Sequence, residues 1–380
     1  MKIALVSPYD YSYSGGVPSH ISHLESHLLN RGHQVRVLAP CSKKPMDPNV
    51  IPIGTPIPIP SGDSIARITL SLTLARTVKK VLQKGNFDVI HLHEPLTPVL
   101  PLYVLDFSNS VNIGTFHAYH GEAKAYRLFR PILQKWFSRL HGHIAVSQPA
   151  RAFVSKCFPS DYRIIPNGVD IACFRPGVRP VEELRDGKIN ILYVGRLEKR
   201  KGLNYLLEAY KIVKGENPNV RLIVVGPGER LRRKYKKYVE DNRLKDVVFV
   251  GFVPNEDLPR YYATADIFCA PSTGNESFGI VLLEAMASGK PVIATSIEGY
   301  SDVVQDRIQG LLVPPRDPFT LADKINLLIR EEALRLYMGF RGEARAAEYS
   351  WENISQQVLD YYQLVSLRQK YETSSRVATC

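Results

Sequence analysis

The chain is poor in the features that mark several large protein classes. Its five cysteines (Cys41, Cys157, Cys173, Cys269 and Cys380) are odd in number, scattered and never spaced C-x-x-C, which argues against a disulfide framework and a cysteine-built zinc site. A reducing, cytoplasmic setting is the expectation. No run of eighteen apolar residues occurs, and "MKIALVSPYD" breaks its apolar stretch at Ser7-Pro8, so neither a membrane span nor a secretory leader is expected. There is no D-x-D triplet to hold a metal-nucleotide complex, and the first glycine pair is not part of G-x-G-x-x-G. No acid ends the second strand, so a dinucleotide-binding fingerprint is incomplete and a dehydrogenase reading loses its main support.

What is present is a 380-residue chain, 44% apolar, with a net charge of +12. That length and content suffice for two cores, and the charge favours anionic partners: nucleic acid, acidic lipid surfaces or phosphorylated small molecules. Short apolar runs ending in proline, glycine or polar clusters recur, first as "KIALVSP", "QVRVLAP", "DVIHLHEP", "NIGTFHAY", "HIAVSQ" and "RIIPNG", then as "INILYVGRL", "VRLIVVGPG", "VVFVGFV", "DIFCAPS", "PVIAT" and "GLLVPP". Buried parallel strands read this way because both faces are covered. Helix-period stretches separate them, beginning with residues 17–31 between Pro18 and Gly32. Two doubly wound α/β domains follow, 1–170 and 188–350, with a Pro/Gly/charge-rich linker at 171–187. A C-terminal helix packing back toward the first domain and a frayed tail are expected over 351–380.

Loops after parallel strands carry ligands in such folds. "NESFGIVLLEAMASGKPV" reads as a helix from Ser277 onward, whose first amides (Phe278, Gly279, Ile280, Val281) form a seat for phosphate or sugar oxygens. Glu276 and Glu284 flank it on one face, about 12 Å apart by helical rise. Either they hold a sugar and a ribose, or Glu276 complements the dipole and Glu284 is solvated. "YVGRLEKRKGL" gathers Arg196, Lys199, Arg200 and Lys201 after a strand, cations suited to a diphosphate or simply solvated. Gly15-Gly16 lets backbone amides approach a phosphate. His23 and His27 form H-x-E-x-H rather than H-E-x-x-H, so no metal is expected. His91/His93 and His117/His120 lie at strand ends, and His117 is placed to meet a sugar hydroxyl or to be satisfied in the core.

Together Gly15-Gly16, "GTFH", "IPNGVD", "GRLEKRKG" and "ESFGIVLLEAMASGKPV" resemble the large retaining glycosyltransferase family 4, over nearly the whole chain. The resemblance implies a GT-B fold, two Rossmann-like domains facing a central cleft. It gives Glu276 to the donor sugar, Glu284 to the ribose, and the helix start to sugar and diphosphate oxygens. Arg196 and Lys201 go to the diphosphate, Gly16 to the same phosphates from the opposite domain, and His117 to the donor sugar near the reacting carbon. Val253 matches the stretch that meets the base through its main chain. Transfer with retention, without metal or other cofactor, is implied. The basic loop is a residue shorter than in the subfamily named next, which leaves Arg200 without an assigned role.

"PYDYSYSGGVPSH", "PSGDSIARI", "FDVIHLHEP" and "GTFHAY" are most similar to the phosphatidyl-myo-inositol mannosyltransferases. That likeness implies a nucleotide-sugar donor (GDP-mannose or a UDP-hexose), a lipid acceptor met by Tyr9 and Arg67, and peripheral attachment to the anionic inner face of the cell membrane. A family 4 enzyme using UDP-glucose with diacylglycerol or a soluble acceptor is the alternative. A membrane-facing helix is expected over 65–84, with apolar Ile65, Ile68, Leu72 and Leu82 and with Arg76, Lys79, Lys80 and Lys84 gathered toward its C-terminal half; a half-buried Rossmann helix with a solvated basic side fits equally. "RLRRKYKK" (230–237) reads as a solvated helix, and no nucleic-acid partner is expected.

Overall fold

Residues 1–13, 15–61, 64–119 and 124–378 are described here in a computed structural model. They form two compact units, Met1–Asn167 with Trp351–Cys380, and Gly168–Ser350. Every apolar run named above becomes a strand.

In the first unit the strands β1 (Lys2–Val6), β2 (Gln34–Ala39), β3 (Val50–Pro52), β4 (Ile57–Ser61), β5 (Ser64–Ile68), β6 (Val89–His93), β7 (Val111–Phe116), β8 (Gly142–Ala145) and β9 (Arg163–Ile164) appear in chain order. All but β4 and β5 make a parallel sheet, ordered β3-β2-β1-β6-β7-β8-β9. Period-two alternation in β1 explains its two faces. Ile3 and Leu5 meet Ile21, Leu24 and Leu28 of helix α1 (Gly16–Asn30). Ala4 and Val6 lie on the other face, in a core shared by α2 (Ala75–Gly85), α3 (Leu100–Phe107), α4 (Lys124–Phe137) and α5 (Gln148–Ser155).

The stretch 65–84 is not one helix. Ser64–Ile68 pairs antiparallel with β4, and α2 begins only at Ala75. The β-branched Ile65 and Ile68 favour the strand, and the partner's Pro58 and Pro60 are tolerated because a two-stranded ribbon has open edges. In α2 the apolar Val78 and Leu82 are buried, whereas Arg76, Lys79, Lys80 and Lys84 are exposed.

The second unit repeats the plan with β10 (Ile189–Val194), β11 (Val220–Val225), β12 (Val247–Gly251), β13 (Ile267–Ala270), β14 (Val292–Thr295) and β15 (Gly310–Val313), all parallel and ordered β12-β11-β10-β13-β14-β15. Its helices are α6 (Leu203–Glu216), α7 (Glu229–Asp241), α8 (Leu258–Thr264), α9 (Ile280–Ala287), α10 (Glu298–Ser301), α11 (Pro318–Arg330) and α12 (Glu332–Glu348). Asp317 caps α11 by accepting from the amides of Phe319 and Thr320, with Pro318 in the first turn, a start legible in the sequence.

Residues 171–187 belong to this unit rather than to a linker between the two. Phe174 and Leu184 pack against its core, and the Val181 amide donates to Thr264 Oγ1 at 2.9 Å. A few apolar anchors overcome the loop-like composition. The last helix, α13 (Trp351–Ala378), belongs to the first unit and runs through most of the stretch expected to fray. Trp351, Ile354, Val358, Tyr362 and Val365 recur at helical spacing and are buried against β1, β6 and β7 residues.

Candidate active site

In each sheet the strand order reverses once, between β1 and β6 and between β10 and β13, and loops at such switch points are where open α/β sheets bind ligands. In the second unit, the loop after β10 meets the loop after β13. Glu276 Oε1 accepts from Arg200 Nη1 at 2.7 Å, Lys201 Nζ at 2.8 Å and Ser272 Oγ at 3.2 Å. Arg200 also holds Glu198 Oε2, through Nε and Nη2 at 2.9 Å each. Two acids and two cations therefore balance locally. Ser272 Oγ is fixed by Tyr300 at 2.9 Å, and Thr273 ties its amide to the Arg200 carbonyl at 2.7 Å. Gly202, at φ +70°, ends the basic turn where a Cβ would fall 1.9 Å from the Pro271 carbonyl oxygen, so only glycine lets the two loops approach.

The cluster gives Arg200 a role: it spans the two carboxylates. Lys201 is engaged in the same cluster. Its ammonium has one donor committed to Glu276 and two left for a ligand. Arg196 is exposed.

The helix expected from Ser277 starts instead at Ile280, with Gly279 at φ +88° as its left-handed N-cap. A Cβ on Gly279 would fall 2.6 Å from the Tyr300 ring. Glu276 consequently lies in the preceding loop, not on the first turn. Phe278 is buried in the core and faces Tyr349, and Ile280 and Val281 pack on the same core, so contacts with a ligand fall to their main-chain amides. Glu284 is half-buried rather than freely solvated: Tyr262 donates to its Oε2 at 2.7 Å, and burial raises its pKa to about 7. Val253, after β12, packs its side chain on the core, which again leaves its peptide groups for recognition.

In the first unit β6 ends in His93, and the loops after β6 and β7 carry Glu94 and His117. His20 on α1 places its ring 4.9 Å from that of His117 and 5.2 Å from that of His93. Burial depresses all three: His20 falls to about 4, and His93 and His117 lie well below the ordinary value. They are neutral imidazoles at pH 7. His93 Nδ1 lies 2.9 Å from His117 Nε2, while His93 Nε2 is buried with no partner among the described residues. A buried orphan acceptor is less rare than a buried orphan N–H. The proton of His93 thus belongs on Nδ1, donated to His117 Nε2, and that of His117 on its Nδ1.

Glu94, the acid in "DVIHLHEP", gains a role from the structure. Its Oε1 accepts from the amides of His117 at 2.6 Å and Ala118 at 2.7 Å, which fixes the loop bearing His117. Burial raises it to about 7 despite those bonds and one with Tyr126. The signal was an acid directly after an apolar strand.

Tyr9 and Arg67 are brought together: Tyr9 bridges Ile68, and the Asp10 amide donates to the Arg67 carbonyl at 2.8 Å. Arg67 lies over the Tyr13 ring. Gly15 has extended φ, which any residue adopts, and a Cβ on Gly16 would meet nothing within 4 Å, so the fold around Gly16 does not demand glycine. His23 stacks on Trp351, and His91 is held by Tyr362 and Thr115 at 2.7 and 2.6 Å. His120 lies outside the described residues.

Among the described residues one group could hold a metal: His20, His93 and His117 each offer a nitrogen within 4.8 Å of the others. Tetrahedral zinc with bonds near 2.0–2.1 Å needs nitrogens about 3.3 Å apart. The 2.9 Å between His93 and His117 suits a shared proton better, and a cation would have to spread the pair.

Two family models match, Glycosyltransferase Family 4 over residues 14–172 and Glycosyl transferases group 1 over 175–345. A phosphatidyl-myo-inositol mannosyltransferase of Mycobacterium leprae is 36% identical over 370 residues, 96% of this chain and 97% of that one. The chain belongs to glycosyltransferase family 4. One of the same name from Propionibacterium freudenreichii is 33% identical, covering 98% and 97% of the two chains. Among solved structures, a sucrose-phosphate synthase from Thermosynechococcus elongatus superposes with a TM-score of 0.71 at 26% identity, over 96% and 98%. This family 4 chain is therefore a hexosyltransferase of GT-B fold, and the ion cluster and the imidazole cluster are its candidate active-site groups.

Proposed function

We propose that this glycosyltransferase transfers mannose from GDP-mannose to a phosphatidylinositol-type lipid, with retention and without a metal, as a peripheral protein on the inner face of the cell membrane. The observation that carries the reading is full-length identity above 30% to chains named for that reaction. The site chemistry supports it. Glu276, held in the loop by Arg200 and Lys201, takes the donor sugar's hydroxyls, and the two remaining Lys201 protons together with Arg196 and the amides of Phe278, Gly279, Ile280 and Val281 take the diphosphate. Cationic side chains then neutralise the departing nucleotide. Glu284, half-buried beside Tyr262, takes the ribose hydroxyls, and Val253 the base through its peptide groups.

In the first unit Gly15 and Gly16 offer amides to phosphate, and His117, neutral with its proton on Nδ1, donates to a sugar hydroxyl. Tyr9 and Arg67 meet the acceptor headgroup. The test is mass spectrometry of the lipid extract after purified protein is incubated with vesicles containing phosphatidylinositol and diacylglycerol and with GDP-mannose, UDP-glucose or UDP-N-acetylglucosamine singly. A hexosylated phosphatidylinositol from GDP-mannose alone is expected. Donor consumption with UDP-glucose and a hexosyl-diacylglycerol product would replace this reading by the other.

A further inference from the structure

Besides the basic α2, the structure exposes a second helix of different character. In α4 the side chains facing the core are Tyr126, Leu133, Trp136 and Phe137. The opposite side should be polar in a soluble Rossmann helix. Instead Leu128 is 73% exposed, Ile132 61% and Phe129 50%. Leu128 and Ile132 are one turn apart and share a face. The charged residues among them are basic: Arg127, Arg130 and Lys135, all exposed, and the helix has no acid.

α4 does not stand alone in this. Lys135 pairs with Asp106 of α3 at 3.4 Å, and Tyr103 of α3 donates to the Leu72 carbonyl at 3.1 Å. α2, α3 and α4 therefore form one layer over the same core. At its other side Leu70 and Leu72 are exposed, 43% and 73%, next to Arg76, Lys79 and Lys80. Exposed large aliphatics flanked by cations, without acids in α2 or α4, match a surface that is apolar below a negative headgroup plane. They do not match water. A protein partner would gain from the aliphatics, but the one-signed charge at both ends of the layer favours a sheet of anions.

We propose that the outer face of α4, through Leu128, Phe129 and Ile132, inserts into the headgroup boundary of an anionic bilayer, while Arg127 and Arg130, with Arg76, Lys79 and Lys80 across the layer, contact lipid phosphates. The proposal rests on the lipid-acceptor reading above and assigns the apolar part of attachment to α4 rather than to α2.

The experiment measures sedimentation of the full chain with vesicles of phosphatidylcholine containing phosphatidylglycerol, at low and high salt. Changing Leu128, Phe129 and Ile132 together to Ser is expected to weaken partition by at least about tenfold at both salt levels, since apolar burial is not screened. Changing Arg76, Lys79 and Lys80 to Gln is expected to weaken it at low salt only. These positions are exposed, and an unchanged melting temperature checks that the fold persists. As an independent readout, Leu128→Trp should add a blue-shifted emission component on vesicles.

Unchanged partition of the triple Ser variant, or no emission shift, would overturn the proposal. So would a wild-type dimer that the Ser variant converts to monomer without loss of vesicle binding, which would assign the face to a second copy. Transfer to a short-chain phosphatidylinositol dissolved as monomer separates the two readings. If that transfer is absent the acceptor assignment fails; if it is present and partition ignores α4, only this surface fails.

Discussion

At the switch point of the first unit, the groups after the strands are imidazoles and a carboxyl solvated by two amides and a phenol. At that of the second, two carboxylates are locked by an arginine and a lysine. The architecture is the same, yet all ten histidines lie in the first unit and none in the second. The difference teaches that a doubly wound sheet fixes where a site sits and leaves its electrostatics open. A neutral, buried site selects hydroxyls by hydrogen bonding, whereas an ion-paired one can stabilise a leaving diphosphate.

The sharpest way to break this comparison is at Glu276. Glu276→Ala is expected to lower transfer by at least about a hundredfold, read as kcat/KM with saturating acceptor, and near-normal turnover would remove the ion cluster from the reaction. Arg200→Met should leave Glu198 and Glu276 buried with only Lys201 between them. A loss of about 3 kcal/mol in urea unfolding is expected, and a change under about 0.5 kcal/mol would mean the cluster is a surface pair of no consequence.

In the first unit the prediction concerns one proton. His93→Phe should lower transfer about tenfold, near the upper end for one neutral hydrogen bond, whereas His93→Asn, which keeps an N–H where Nδ1 was, should recover most of it. Equal loss in both would sink the assigned tautomer.

The pH dependence should separate the units. His20, depressed to about 4, contributes stability that is present above its unfolded value of 6.5 and is lost as pH falls from there towards 4. Glu94, raised to about 7, works in the opposite sense: the folded state takes its proton first, so stability is gained as pH falls from 7 to 4.5. Between pH 6.5 and 4 the described groups of the second unit show only the Glu284 kind of shift, and its depressed carboxyls, such as Asp246 at about 2, act below that range. Hydrogen exchange between pH 6.5 and 4 should show the first unit losing protection before the second, and Glu94→Gln should steepen that loss. Simultaneous loss in both units would contradict it. The smallest expected effect is none: chelator should leave turnover unchanged, and loss restored by magnesium would overturn the metal-free reading.

Much of the fold was legible because buried parallel strands are short, apolar and punctuated, as "QVRVLAP" and "VRLIVVGPG" are. The three-residue β3 and the hairpin β4–β5 were not, since "IPIGTPIPIPSG" carries the prolines that ordinarily deny a strand. α4 was unread as a surface because one helix period serves a core-facing and an outward apolar side alike. At the site, "ESFGIVLLEA" announced its acids and glycine. The start of α9 at Ile280 depended on Tyr300, a residue twenty positions on, and Arg200 acquired its role only through Glu198 and Glu276.

The sequence by itself determined the family, the two α/β units and which residue types stand after which strands, because these follow from local periodicity and from motifs contiguous in the chain. Tertiary structure alone decided which charges meet. It neutralised Lys201 and Arg200 against Glu276 and Glu198, set the proton between His93 and His117, and left Leu128 and Ile132 uncovered. Those outcomes depend on distances between strands far apart in sequence and on how much water each loop excludes, and neither is written in any single stretch of residues.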